Sequence, residues 1–304
     1  MTVARRWYGR DRGLSARMGL TLFLLGAVYV VFISILIAAG TSAIVILVIA
    51  GGLAIAQLFF SDRIALASMG ARVTQPEEAP ELHEMIERLC QMADLPKPRV
   101  AIADVDMPNA FATGRSQKAS AVCVTTGLMR RLEPRELEGV LAHELTHIAN
   151  RDVVVMTVAS FLATVAGLII RASMWGGMGG GRNRDGAGYI FIIMGVSLAV
   201  YALSFLLLRT LSRYREYAAD RGAAILTGAP ATLASALARI HDDLGRVPTR
   251  DLRSAEGLNA FFIVPARARG FSLSSLFATH PPVEKRIERL LAMQAQLDHV
   301  PAAA

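Results

Sequence analysis

Two histidines stand four positions apart in the segment His143-Glu144-Leu145-Thr146-His147. On a helix this spacing places both imidazoles on one face, about 6 Å apart, where both can reach one Zn²⁺ ion at about 2.0–2.1 Å per nitrogen. Glu144 lies one residue around the helix, outside the ligand pair but close enough to take a proton from a water on the metal. The chain has only 6 histidines, so chance rarely produces this pattern. It predicts hydrolytic zinc chemistry, with His143 and His147 as ligands and Glu144 as general base.

A catalytic zinc usually takes three protein ligands and leaves one position open, so a third ligand is needed. The strongest candidate is Glu216, an acid in a segment, residues 212–220, that is predicted to be helical. Asp220 lies one helical turn further on the same face and is predicted to accept the free ring N–H of a zinc histidine, which would orient that ligand. The alternative is that Glu216 is a surface partner of Arg213 or Arg215.

Long apolar runs dominate the composition, in which 53% of residues are hydrophobic and the mean hydropathy is +0.42. No charged residue occurs in residues 18–61, which is enough chain for two membrane spans with a turn between them. Residues 153–170 and 186–208 are two further uncharged runs, although the first is short enough to be a buried hairpin arm. A cleaved signal peptide is the competing interpretation of the N-terminus, but the apolar stretch is too long for one. We therefore predict a multi-pass membrane protein with about four transmembrane helices in two hairpins.

The placement of arginine sets the predicted orientation. Five arginines lie within residues 1–17, whereas the turn between the first two apolar runs has none. By the positive-inside rule the N-terminus is cytoplasmic, and a two-span hairpin returns the chain to the cytoplasm before the zinc motif. The loop 171–188 carries three arginines and would lie outside, which weakens the same argument for the second hairpin.

The net charge of +7 could also indicate a nucleic-acid partner. Most of the excess lies beside apolar runs, where anionic lipid headgroups account for it, and no basic stripe with interleaved aromatic residues occurs. We therefore expect the lipid bilayer as a partner and no nucleic acid. Cys90 and Cys123 do not form a metal-spaced pair, and both are predicted to be buried, reduced thiols.

Outside the apolar runs the sequence predicts an α+β domain with a small sheet. Short β-rich runs at 99–104 and 120–126 are separated by a turn-forming stretch at 107–116. Helical periodicity predicts that the last helix, 281–297, buries the apolar side chains of Ile287, Leu290, Leu291 and Leu297.

The second hairpin is predicted to interrupt the catalytic domain. Because two antiparallel spans return their outer ends to one side, this hairpin would bring the zinc motif and Glu216 together at one membrane face. The predicted segments are a basic cytoplasmic tail at 1–17, a first hairpin at 18–61, the first catalytic part at 62–152, a second hairpin at 153–208 with a glycine-rich loop at 175–188, and the second catalytic part at 209–304.

These features together resemble a known family. The zinc motif occurs with a downstream Glu-x-x-x-Asp at Glu216 and Asp220, apolar hairpins before and between them, the stretch Pro108-Asn109-Ala110-Phe111-Ala112, and a late Thr279-His280-Pro281-Pro282. The combination resembles the HtpX family of bacterial membrane zinc metalloproteases, relatives of the prenyl-CAAX proteases, over nearly the whole chain. The resemblance implies a gluzincin-type domain in the cytoplasm, one Zn²⁺ on His143, His147 and Glu216, and Glu144 as general base. It also implies a quality-control endopeptidase of the bacterial inner membrane, whose polypeptide substrates are misfolded or damaged membrane proteins.

Two further segments have both a structural and a functional interpretation. His280 precedes two prolines at a helix start, where it or the preceding threonine could cap the helix, whereas the resemblance implies that His280 stabilises the oxyanion of the tetrahedral intermediate. Asn109 is by default a turn residue, whereas the resemblance implies that this stretch borders the cleft. An edge strand here could pair with an extended substrate through its backbone, which makes Asn109, Ala110 and Phe111 candidate substrate-binding residues.

Two other functions fit parts of this pattern. A prenyl-CAAX-type protease would enclose its site in a larger multi-span chamber, for which four apolar runs are too few. A non-catalytic membrane adaptor would use its metal only structurally. A structural zinc is normally closed by a fourth protein ligand, which neither Cys90 nor Cys123 is placed to supply, and Glu144 would then have no task.

Overall fold

The computed structural model describes residues 12–38, 43–176, 184–244 and 280–299. The helices are α1 (Arg12–Ala38), α2 (Ala43–Ser68), α3 (Pro80–Ala93), α4 (Thr126–Arg131), α5 (Pro134–Ala149), α6 (Asp152–Gly176), α7 (Arg184–Thr227), α8 (Pro230–Leu244) and α9 (Val283–Asp298), and the strands are β1 (Arg72–Val73), β2 (Arg99–Ala103), β3 (Ala110–Gly114) and β4 (Ser120–Thr125). The prediction of a mainly helical chain with a small sheet is confirmed. Most of the predicted basic tail, the centre of the predicted glycine-rich loop, and Thr279 lie outside the described residues.

The described residues belong to two units. The sheet unit takes them from Phe60–Val154 and Ser212–Ala304, and the helical unit takes them from Arg12–Phe59 and Val155–Leu211. Three helices, α2, α6 and α7, contribute to both units, because each continues along the chain from one unit into the other. The zinc motif and Glu216 both belong to the sheet unit.

The helices of the helical unit are long and consist mainly of apolar residues. Within the part of the chain that the structure describes, three segments are long and apolar enough to cross a membrane, namely Arg12–Ala38, Asp152–Arg171 and Ile192–Thr227. Phe32 of α1 packs against Val165 of α6 and Val200 of α7. These helices therefore have the length and composition of membrane spans, while the number of four spans and their orientation stay predictions.

The sheet has the strand order β1-β2-β4-β3. β2 and β4 are parallel, and the outer pairs β1–β2 and β3–β4 are antiparallel. Ala110 to Gly114 pair with β4 along their whole length. The turn predicted across residues 107–116 is therefore wrong for its centre, whereas the edge strand expected around Asn109–Thr113 is present. β3 lies at an edge of the sheet, which is the position that backbone pairing with a substrate requires.

Successive side chains of β4 point to opposite faces of the sheet, so the core of the sheet unit has two layers. Val122 and Val124 face a cluster built mainly from α3, α5, α8 and α9, whereas Ala121 and Cys123 face the C-terminal end of α2. A shift of one residue in the pairing of β4 would exchange the side chains that face the two layers. Burial of both sets therefore fixes the register in which β3 pairs with β4. Cys90 and Cys123 are both buried and free, as predicted.

Candidate active site

The zinc motif lies in the second half of α5. Residues at the N-terminus of α5 favour the start of a helix at this point of the chain. Pro134 occupies the first turn, while Glu133 and Glu136 form a reciprocal capping box at the N-terminus. Leu141 and Leu145 are buried in the core of the sheet unit, and they anchor the helix on either side of the first histidine.

The structure brings His143, His147 and Glu216 together, with one possible ligand atom from each lying within 4.8 Å of the others. The two Nε2 atoms are 3.1 Å apart. The Glu216 carboxylate lies 3.4 Å from Nε2 of His143 and 3.5 Å from Nε2 of His147. The alternative in which Glu216 is a surface partner of an arginine is wrong, because its side chain is buried.

The other nitrogen of each imidazole contacts a carboxylate. Nδ1 of His143 lies 3.1 Å from Oδ1 of Asp220, and Nδ1 of His147 lies 2.6 Å from Oδ2 of Asp152. Because a carboxylate accepts hydrogen bonds, this network assigns the proton of each ring to Nδ1, and each Nε2 then presents a lone pair. Converging lone pairs repel one another, so the donor set fits a metal cation held between them.

The charges around the three candidate ligands also fit a divalent cation. Among the described residues, the buried ionic groups of this cluster are four carboxylates and two guanidiniums, those of Glu144, Asp152, Glu216, Asp220, Arg215 and Arg286. With neutral imidazoles the cluster keeps an excess of negative charge that a divalent cation would neutralise. Burial lowers the pKa of His143, but the carboxylates of Asp220 and Glu216 outweigh it and raise that pKa to about 9. At neutral pH this imidazole therefore carries two protons, and a bound cation would displace the one on Nε2. Oε2 of Glu216 is also buried without a hydrogen-bond partner among the described residues, as a metal-ligand oxygen would be.

From the sequence, Asp152 is interpreted as a salt-bridge or capping group, but in the structure it also supports His147 as Asp220 supports His143. Its second oxygen, Oδ1, lies 2.9 Å from Nε of Arg215. We expect Asp152→Asn to weaken zinc binding by about 10–100-fold, because a neutral amide polarises the imidazole less than a carboxylate does. Competition with a fluorescent zinc chelator measures this affinity. The exposed acid Asp242 supplies the control, and equal affinities of Asp152→Asn and Asp242→Asn would contradict the assignment.

Arg286 was also not identified from the sequence as a residue of the candidate site. Its side chain is 1% exposed, and Nε and Nη2 donate hydrogen bonds of 2.9 and 2.6 Å to the two oxygens of Asp220. Nη1 lies 3.3 Å from Oε2 of Glu216. The predicted inward face of the last helix is wrong for Leu291 and Leu297, which are exposed. Apolar periodicity could not find Arg286, because it assigns charged residues to the solvent side.

Glu144 lies beside β3. It is buried, and its carboxylate is close enough to accept a hydrogen bond from the backbone N–H of Ala112. Burial raises the pKa of Glu144, and the nearby imidazoles of His143 and His147 only partly oppose this. A carboxylate with a raised pKa is a better proton acceptor at neutral pH.

The candidate substrate-binding residues Asn109, Ala110 and Phe111 are all buried. Thr125 fixes the backbone of Asn109, since its Oγ1 accepts from the Asn109 N–H and its own N–H donates to the Asn109 carbonyl, each at 2.9 Å. Phe111 packs into the layer on the α2 side of the sheet. A substrate at this edge would therefore meet backbone groups rather than the side chains of Ala110 and Phe111.

His280 belongs to the site and does not cap α9. The N-cap residue of α9 is Pro282, and no side-chain capping hydrogen bond is made there by the described residues. The His280 side chain is 8% exposed, and its Nδ1 lies 3.3 Å from Oε2 of Glu216. The capping interpretation of His280 is therefore wrong.

Gly222 explains how α7 approaches the zinc helix so closely. A Cβ atom added at Gly222 would overlap the side chain of Thr146, which lies inside the zinc motif. Glu216 and Asp220 lie on α7 within two turns before Gly222. The close contact between α7 and α5 at Gly222 therefore positions both carboxylates.

We expect Gly222→Ala to lower the free energy of unfolding by about 1–3 kcal/mol, because the two helices must separate to admit the methyl group. Bound zinc should fall in parallel. Gly195→Ala is the matched control on the same helix, since no atom lies within 4 Å of a Cβ there. Thermal unfolding and zinc content measure both effects, and indistinguishable variants would contradict the packing argument.

Comparison with known proteins places this geometry in a family. The model of Peptidase family M48 matches residues 76–294, which contain every candidate site residue. The chain belongs to peptidase family M48. It is 54% identical to Protease HtpX homolog 1 of Streptomyces coelicolor, over 96% of each chain. It is also 54% identical to the Protease HtpX homolog of Moorella thermoacetica, over 97% of this chain and 99% of the relative. The protein is therefore an M48 metalloprotease of the HtpX type, as its resemblance implied.

A solved structure supports the fold of this M48 chain. The crystal structure of S. mikatae Ste24p aligns with a TM-score of 0.56 at 21% identity. The alignment covers 91% of this chain but 65% of Ste24p, so this chain spans less than two thirds of that neighbour. At this identity the likeness shows the shared fold alone.

Proposed function

We propose that this metalloprotease is a zinc endopeptidase of the bacterial inner membrane, which cleaves misfolded or damaged membrane proteins on the cytoplasmic side. The observation that supports the proposal most is the convergence of His143, His147 and Glu216, with a carboxylate behind each imidazole.

Zn²⁺ is the metal that this donor set fits best. Two imidazole nitrogens and one carboxylate oxygen, with a fourth position open, are a common ligand set of catalytic zinc in hydrolases. When bound, Zn²⁺ would supply Lewis acidity that activates a water and polarises the scissile carbonyl. His143, His147 and Glu216 would hold the ion, while Asp220 and Asp152 orient the two imidazoles.

Glu144 moves the proton in the proposed reaction. Its carboxylate accepts a proton from the attacking water as the new C–O bond forms, and then delivers that proton to the amine nitrogen as the C–N bond breaks. Burial raises the pKa of Glu144 and so favours the first transfer. The neighbouring N–H of Ala112 holds the carboxylate in place between the two transfers.

His280 and Arg286 support this chemistry in different ways. A ring N–H of His280 would donate a hydrogen bond to the carbonyl oxygen as negative charge develops there. Arg286 pairs with Asp220 and Glu216, so it holds the two acids of α7 in position. Because the guanidinium is buried with them, its charge also lowers the electrostatic cost of placing several carboxylates together.

The edge strand β3 is the proposed substrate-binding element. β4 occupies one side of β3, and no other described strand pairs with its second side, where an extended chain would add as a further strand. Because the interaction uses the backbone, it tolerates many substrate sequences. This tolerance suits a protease that recognises unfolded segments.

The helices α6 and α7 connect the candidate site to the apolar segments, which supports the proposal that the substrates are membrane-bound. α6 begins at Asp152, which contacts His147, and the segment Ile192–Thr227 of α7 contains both apolar residues and Glu216. Both parts of the site are thus joined directly to helices with the composition of membrane spans. The five arginines within residues 1–17 support the cytoplasmic side through the positive-inside rule.

Reconstituted vesicles test the substrate class. We expect an unfolded polypeptide anchored in the same bilayer to be cleaved at least about tenfold faster than the same polypeptide without its anchor, because sharing a membrane raises the effective concentration. Dialysis against a zinc chelator should stop both reactions, and stoichiometric Zn²⁺ should restore them. Equal rates with and without the anchor would contradict the substrate proposal but leave the zinc mechanism standing.

A further inference from the structure

A recess lies at the end of the edge strand, next to the candidate zinc ligand His147. Its lining combines the C-terminal end of β3, the start of β4 and the connection between α5 and α6, including Thr113, Gly114, Ser116, Ser120 and Arg151. None of these five residues has a role in the proposed bond cleavage. The recess is shallow, with a volume of about 10 Å³, so a substrate side chain would lie over its rim rather than inside it.

Arg151 supplies a positive charge to this recess. Its side chain is exposed, and it forms no ion pair with another residue in the described part of the chain. The neighbouring Asp152 is already engaged, since its two oxygens contact His147 and Arg215. Arg151 also has a φ of 56°, in the left-handed region where glycine would be less strained. An arginine at this position thus combines backbone strain with an uncompensated charge.

The turn that borders the recess carries the same sign of charge as Arg151. The turn between β3 and β4, residues 115–119, contains Arg115 and Lys118 and no acid. Nε2 of Gln117 in this turn donates a 3.0 Å hydrogen bond to the Ala149 carbonyl, which ties the turn to the end of the zinc helix. The recess therefore favours an anionic group.

The position of Glu144 shows which part of a substrate would reach the recess. Glu144 lies beside the N–H of Ala112, so the scissile bond of a chain paired with β3 would lie near that residue. Gly114 is two residues further along the strand, a distance of about 7 Å at the usual rise of a β-strand. A substrate residue two or three positions from the scissile bond would thus lie over Arg151.

We propose that Arg151 forms a subsite for an acidic side chain of the substrate, two or three residues from the scissile bond on the side that faces Gly114. The subsite rests on the proposed pairing of substrates with β3. Arg151 is a specificity-determining residue and takes no part in bond cleavage.

A peptide series tests the subsite in full-length enzyme in a neutral detergent without lipid. Glu, Gln or Lys is placed at each of the second and third positions on both sides of one scissile bond. For the wild type we expect one position at which Glu raises kcat/KM about fivefold over Lys, the upper range for a partly exposed ion pair. Arg151→Gln should remove the preference, Arg151→Glu should reverse it, and Arg151→Lys should retain it.

Arg151→Gly is the matched variant for the backbone, because it relieves the left-handed conformation and removes the charge. It should stay folded, cleave the Gln peptides at the wild-type rate, and show no preference between Glu and Lys. A charge preference that is identical in all variants would overturn the subsite while leaving the protease intact. No cleavage of any peptide by the wild type would instead count against the proposed function. Loss of binding to anionic vesicles in Arg151→Gln, with no peptide preference, would show that Arg151 serves the membrane surface and would also overturn the subsite.

Discussion

Replacement of Glu144 by Gln should lower the rate of peptide cleavage by about 10²–10⁴-fold, the usual contribution of a positioned general base. The amide keeps the size of the side chain but cannot accept the proton of the attacking water. Because Glu144 is not one of the three converging ligands, zinc content should stay equal to that of the wild type. Cleavage of an unfolded polypeptide, with zinc measured on the same sample, checks both parts of the expectation.

Glu138→Gln is the control for this substitution. Glu138 lies on the same helix and forms a salt bridge with Arg88 at the surface, so its loss should leave the rate within a factor of about two. Undiminished cleavage by Glu144→Gln would contradict the assignment of Glu144 as the general base. Loss of zinc together with activity would show that Glu144 holds the metal.

Replacement of Glu216 by Ala should remove the metal and, with it, the activity. We expect an affinity loss larger than the roughly 100-fold limit typical of residues behind the ligands, because a ligand oxygen itself is deleted. The substitution also removes one of the two carboxylates that contact Arg286, while Asp220 keeps both of its hydrogen bonds to the guanidinium, so we expect the protein to stay folded. Zinc stoichiometry after gel filtration and the midpoint of thermal unfolding check the two expectations.

Glu216→Gln separates metal binding from folding. It keeps the volume of the side chain and an oxygen near the imidazoles, so the protein should fold while zinc affinity still falls. The exposed Glu288→Ala on α9 is the control, with no expected loss of zinc. Stoichiometric zinc in both Glu216 variants would mean that another residue supplies the third ligand.

The sequence was sufficient for the parts of the site that depend on local spacing. His143, Glu144 and His147 lie within two turns of one helix, so their relation follows from helical geometry alone. Asp220 follows Glu216 by one turn for the same reason, and the structure places it against His143. The apolar runs likewise predict helices from composition without any knowledge of packing.

The parts that were missed depend on contacts between distant segments. Arg286 meets Asp220 across 66 positions, and nothing in its local pattern distinguishes it from an exposed arginine. Asp152 differs from an ordinary helix-capping acid only because α6 begins beside His147. The local pattern around β3 was compatible with both a turn and an edge strand, and the pairing with distant β4 decides for the strand.

X-ray absorption at the zinc edge tests the central claim most directly, on wild-type protein and on Glu144→Gln purified in detergent. We predict one zinc per chain, with an N/O shell at about 2.0–2.2 Å that contains two imidazoles. The spectrum should be the same in Glu144→Gln, and the imidazole scattering should decrease when His147 is replaced. A shell with sulfur at about 2.3 Å, or zinc that survives replacement of both histidines, would contradict the site.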